Sequence, residues 1–132
     1  TKAYAAYLKM SDLIAQEGGV NPERLAPLVT PEWLKNEIVA FNKFEVSGHR
    51  QAGNSTFRNV SLQQISETLR TVTTYLCEDI SGTHFVDGAG ADVTPTPRPD
   101  SVSLEVPFQG TKDESSEPLI SEISPWSGPT VC

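Results

Sequence analysis

The stretch that decides the fold is "LRTVTTYLCEDI", residues 69–80. β-Branched and aromatic residues crowd it, as they do on a pleated, half-buried surface. Its side chains sort by twos. Val72, Thr74, Leu76, Glu78 and Ile80 share one face, and Thr71, Thr73, Tyr75, Cys77 and Asp79 share the other. The alternation predicts a long strand in the middle of the chain, and the neighbouring segments can be read outward from it.

On either side lie further strand signals. "STFRNVSLQQIS" (55–66) precedes it, and "THFVDGAGADV" (83–93) reads as a short strand followed by a glycine turn. "TPTPRPD" (94–100) holds three prolines and is a loop, because proline cannot donate to a central ladder. "SVSLEVPFQG" (101–110) alternates strictly, with Val102, Leu104, Val106 and Phe108 on one side. "TKDESSE" (111–117) is a charged turn, and "PLISEISPW" (118–126) reads as one last strand.

Upstream the period changes to that of a helix. In "TKAYAAYLKMSDLIAQEGG" (1–19), Ala3, Tyr7, Met10 and Ile14 form a stripe with Tyr4, Ala6 and Leu13 beside it. Gly18 and Gly19 stop it. Asn21 is placed as an N-cap with Pro22 at the first helical position, and Thr30 with Pro31 repeats the device. Trp33, Leu34, Ile38 and Phe41 are then spaced to face a core. Helices first and strands afterwards define an α+β fold, with helices packed on one face of an antiparallel sheet. One domain is expected over 1–132: helices about 2–43, strands about 45–126 and a C-terminal tail 127–132.

The chain has 17 acidic against 10 basic residues, a net charge of −7. That balance argues against a nucleic-acid surface and against an electrostatic hold on anionic lipid. No apolar run is long enough to span a bilayer. The chain opens on Thr1, not Met, so any leader or membrane anchor is expected upstream.

Cys77 and Cys132 are the two cysteines. With His49 and His84 they show none of the ligand spacings of a zinc site, so no metal is expected. Cys77 as a nucleophile, with His84 as base, is opposed by Glu78 and Asp79, since carboxylates raise a thiol pKa. Two buried free thiols suit Cys77 in a strand but not Cys132 in an exposed tail. A disulfide accounts for both. It would close a loop of about 56 residues, worth roughly 4 kcal/mol in the chain-entropy account, and would imply an oxidising compartment.

"YLCEDIS" (75–81), "VDGAG" (86–90) and the closing "WSGPTVC" (126–132), after helices broken by "EGGVNPE" (17–23), carry a resemblance to small exported actinobacterial proteins, many of them lipoproteins. These resemble the nuclear transport factor 2-like (cystatin-like) superfamily. The resemblance implies a curved antiparallel sheet wrapped as a cone around N-terminal helices, paired cysteines, and a homodimer as the common assembly. It also implies two function classes, because that fold serves both non-catalytic binding domains and acid–base enzymes.

The residues weigh these classes unevenly. An isomerase-, dehydratase- or cyclase-like enzyme would use Asp79 as base with Tyr75 or His84, acting on a small hydrophobic substrate in the cone. The plainer reading makes Asp79 a strand-end carboxylate binding its own turn. His49 and Arg50 in "SGHRQAG" (47–53) could grip an anion but read as a solvated loop. Tyr4, Tyr7, Trp33, Phe41 and Trp126 read as core before they read as a ligand site. "GAGAD" (88–92) lacks the Lys-Ser/Thr of a phosphate loop, and no cofactor is expected. The sequence therefore favours a non-catalytic extracytoplasmic domain of the bacterial cell envelope. Its expected partner is a small apolar ligand or another envelope protein, and a third reading makes it an assembly piece of a larger envelope protein.

Overall fold

The structure is a computed structural model that describes residues 2–68, 70–111 and 117–132. Thr1, Leu69 at the head of the central strand, and 112–116 of the charged turn lie outside the described residues.

Two helices open the chain, α1 (Lys2–Gln16) and α2 (Pro31–Ser47), joined through a 3-10 turn at Pro22–Leu25. Gly18 and Gly19 end α1 at φ +88°, a left-handed setting that glycine adopts without strain. The Gly19 amide donates to the Ile14 carbonyl at 2.8 Å. A Cβ on Gly19 would strike the Phe41 carbonyl of α2, so the turn after α1 touches α2 backbone to backbone. At the next junction Asn21 does precede the turn, but it sits in the left-handed region and its side chain caps nothing. Instead its carbonyl accepts from the Arg24 amide and Nε, so Arg24 does the tethering. Thr30 is a true cap, its hydroxyl accepting from the Trp33 amide at 3.3 Å.

The strands are β1 (Arg50–Ala52), β2 (Thr56–Ser66), β3 (Thr71–Asp79), β4 (His84–Val86), β5 (Ser101–Gln109), β6 (Leu119–Ile120) and β7 (Ser124–Pro125). All pair antiparallel. β2-β3-β5-β6 form the main sheet with β7 also on β5, and β1 with β4 forms a separate ribbon. β3 is central, flanked over its whole length by β5, with Leu76 opposite Leu104. The sheet is not closed: β2 forms one edge, and its pairing to β3 slips at two bulges. A Cβ on Gly53 would overlap the Gly82 carbonyl, so the β1–β2 and β3–β4 turns meet where only a glycine fits.

The core lies between α1 and one face of the main sheet. Tyr4, Leu8 and Ile14 of α1 meet Leu76, Val106, Phe108 and Ile120 from the sheet, with Leu25 and Val29 closing one side. Each such side chain contributes roughly 1.5–3 kcal/mol by leaving water. The strict alternation of β5 puts Leu104, Val106 and Phe108 into this core.

Four expectations need correction. The buried stripe of α1 runs through Tyr4, Tyr7, Leu8 and Ile14, while Ala6 and Leu13 face solvent. The stripe is set by i, i+3, i+4 spacing around Tyr4, which brings in Leu8. α2 extends to Ser47 instead of ending near 43, and no residue of it is fully buried; Trp33, Leu34 and Phe41 only lean on the core. Arg50 opens a strand where a loop was expected. The last strand is two short pieces whose register on β5 slips by one residue between Ile120 and Ser124. The break comes at Pro107, which accepts from the Ser121 amide and hydroxyl but has no N–H to return the bond, and the other side of β6 is bound by residues 28–30.

Candidate binding cleft

The core face of the sheet is not filled to the end. A cleft of about 370 Å³ opens between α1, β3, β5 and the β1–β4 ribbon. Tyr4, Tyr7, Leu8, Val102 and Leu104 give it apolar walls, and Asp12, Glu78 and Arg98 line it with charge. A second cleft of about 250 Å³, between α1 and α2, shares Ser11, Gln51 and Phe85 with the first and ends at Phe41 and Phe44.

The polar groups are held by one another. The Tyr4 hydroxyl donates to Glu78 Oε1 at 2.6 Å, and the Tyr7 hydroxyl donates to Glu37 Oε1 at 2.6 Å. Trp33 Nε1, one helical turn away on α2, donates to the same Glu37 oxygen at 2.9 Å. Burial pushes both glutamates above the ordinary carboxylate range. For Glu78 the charges of Asp12 and Glu37 add to that push, and the Tyr4 bond opposes it. The same burial, with a carboxylate as partner, holds Tyr4 and Tyr7 firmly protonated, so both are fixed donors.

At the mouth, Asp12 is 6% exposed and takes three bonds, from Gln51 Nε2, the Ser55 amide and the Ser55 hydroxyl. It anchors the β1–β2 turn to α1. Arg98 reaches back from the proline loop and donates to the carbonyls of Thr83 (2.7 Å) and Ile80 (3.3 Å) and to the Thr83 hydroxyl. This closes the 94–100 loop onto the β3–β4 turn and sets a cation at the edge of the cleft. The ensemble is an apolar recess with a few polar groups already bonded to one another, a composition that suits a small-molecule site.

The residues singled out from sequence lie elsewhere. Tyr75, Cys77 and Asp79 do share one face of β3, as the alternation predicts, but it is the outer face. There Cys77 is fully buried and disulfide-bonded to Cys132, their Cα atoms 5.0 Å apart. The bond ties the 126–132 segment across the sheet. The Trp126 ring stacks on Tyr75 at 4.3 Å, and Asn59 and Ser103 bind the backbone of Val131. Asp79 accepts from the Ser81 amide and hydroxyl and pairs with Arg58 at 3.1 Å. The Ser81 hydroxyl above all holds its carboxyl below the ordinary range. It is the strand-end carboxylate of the plainer reading and lines neither cleft. Tyr75 lies four residues away along β3, about 13 Å at the strand rise, and His84 stands exposed on β4 opposite Ala52. His49 edges onto the Phe44 ring, and Arg50 pairs with Val86. An acid–base set built on Asp79 therefore lies outside both clefts.

Glu78, Asp12, Glu37 and Arg98 were not singled out. Glu78 had a visible signal: it is a carboxylate on the apolar face of β3. Among the described residues no three or more His, Cys, Asp or Glu are grouped to hold a metal, and no helix is long and apolar enough to cross a membrane.

No sequence-family profile matches the chain, and no curated protein sequence does. The fold is similar to that of the intermembrane space region of the chloroplast protein ARC6, known from a crystal structure. The two share a TM-score of 0.62 at 15% identity, over 94% of this chain and 91% of that one. At that identity the likeness concerns the fold alone: two helices packed on an open antiparallel sheet.

Proposed function

We propose that this is a non-catalytic extracytoplasmic binding domain whose cleft takes a small, largely apolar ligand. The observation that carries the reading is the cleft itself, apolar-walled and lined by the Tyr4–Glu78 pair, which is already bonded. Such a recess needs little reordering to receive a ligand. The disulfide supports an oxidising compartment, and the intermembrane-space region that shares the fold is compatible with one. The packing of the open sheet on α1 and the two bulges in β2 are the basis for reading the fold as a nuclear transport factor 2-like cone left open along β2. The resemblance to exported actinobacterial proteins supports the cell envelope as its place.

The test is titration with N-phenyl-1-naphthylamine, an uncharged apolar dye whose emission rises out of water. Saturable binding near one per chain is expected. Val102→Phe, which fills the cleft wall, should abolish it, while Leu62→Lys on the far end of the sheet should not. Undiminished binding by a folded Val102→Phe variant would overturn the assignment. The compartment is tested by intact mass after alkylation, on chain exported in its host. Labelling of both thiols without reductant would sink it.

A further inference from the structure

We infer that the 60–65 run of β2 is a self-association edge, through which two copies of this chain pair antiparallel. β2 ends the main sheet, and among the described residues no strand lies on its far side. Val60, Leu62 and Ile65 stand 37%, 60% and 58% exposed along it. An edge strand is a template for another chain; proteins blunt it with bulges, of which β2 has two, and with charges or proline. "VSLQQI" (60–65) has neither, in a chain where 20% of residues are charged.

The pattern of charge says what fits there. A net charge of −7 makes a second copy repel this one over most of its surface. Over 60–65 it does not. The run is flanked by opposite charges, Arg58 before it and Glu67 after it. Only antiparallel self-pairing, centred between Leu62 and Gln63, sets each Arg58 toward the partner copy's oppositely charged end. Parallel pairing would set like against like. The same register places Val60 across from Ile65 of the other copy, on the core-side face, and Ser61 across from Gln64 on the outer face. Leu62 and Ile65 occupy that core-side face because they pair with Thr74 and Val72 of β3. The bulges at 58–61 and 62–64 curl the strand and keep the pairing short. The interface is then below standard size and the association weak.

Sedimentation equilibrium from about 10 µM to 1 mM, a range suited to so small an interface, tests this on the full chain. The mass should rise with concentration from the 14.3 kDa monomer toward twice that. Arg58→Glu and Glu67→Arg should each weaken association by on the order of fivefold, as a rim charge pair would, and the double swap should restore it. Asp79→Asn, which frees Arg58 from its own strand neighbour, should leave association intact, and Leu62→Lys should abolish it. A constant monomer mass overturns the inference. So does a double swap that stays as weak as the singles, or a Leu62→Lys variant that still dimerises. Far-ultraviolet circular dichroism separates either result from loss of fold.

Discussion

The two faces of β3 are built from the same nine residues on opposite principles. The core-side face buries Leu76 against Tyr4 and then places Glu78 under a tyrosine hydroxyl, leaving room beside it. Among the described residues no helix covers the outer face. It is covered by the 126–132 segment, held by one covalent bond, one aromatic stack and a few hydrogen bonds. One face is stabilised by packing and spends part of that stability on a polar recess. The other holds its cover with a disulfide.

Breaking the covalent bond should have the largest effect. Cys77→Ser with Cys132→Ser removes a link between residues 55 apart in sequence. Urea unfolding should show a loss of about 4 kcal/mol, and a loss under 1 would mean that the cover is held by its other contacts. On the core side, Tyr4→Phe removes the donor to Glu78. It should cost about 2 kcal/mol, the range for a bond to a charged acceptor left half-satisfied. Trp126→Ala removes the stack on Tyr75 and should cost about 1 kcal/mol beyond the area lost, with no change in dye binding. Loss of dye binding in that variant would mean that the two faces are coupled.

The finest distinction between the faces is the sign of their pH dependence. Burial raises Glu78 above the ordinary value of 4.5, so the folded chain binds more protons than the unfolded one in the interval above that value. Stability from this group is present at low pH and falls as pH rises through the interval. Asp79 lies below its ordinary 3.8, so its contribution is present above that value and is lost as pH falls. Glu78→Gln keeps an acceptor for Tyr4 without the charge. It should gain on the wild type in urea midpoints as pH rises above 4.5, and Asp79→Asn should lose ground as pH rises through the range below 3.8. Parallel behaviour of the two variants would refute the assignment of faces.

The α+β order, the strands flanking β3 and the Thr30 cap were legible because each rests on local chemistry: side-chain period, a hydroxyl before proline, glycine at a helix end. The sorting of β3 into two faces was legible for the same reason. Which face looks inward was not. Alternation assigns Glu78 and Asp79 to opposite sides but says nothing of what covers each, and that depends on α1 and on a segment 50 residues downstream, a distance of order no periodicity reaches. The halving of the last strand was hidden for a related reason. It follows from Pro107, which accepts from Ser121 but has no N–H to donate back, across a pairing distant in sequence.

The Cys77–Cys132 bond has a consequence for how the chain comes apart. It closes a covalent ring containing β4, β5, β6 and β7 together with the exposed proline loop at 94–100. A protease that nicks this loop, or any other single peptide bond inside the ring, releases nothing. The two halves stay one molecule, and the cut becomes visible only under reducing conditions. In a compartment that is oxidising and rich in proteases, the ring makes a single cut survivable.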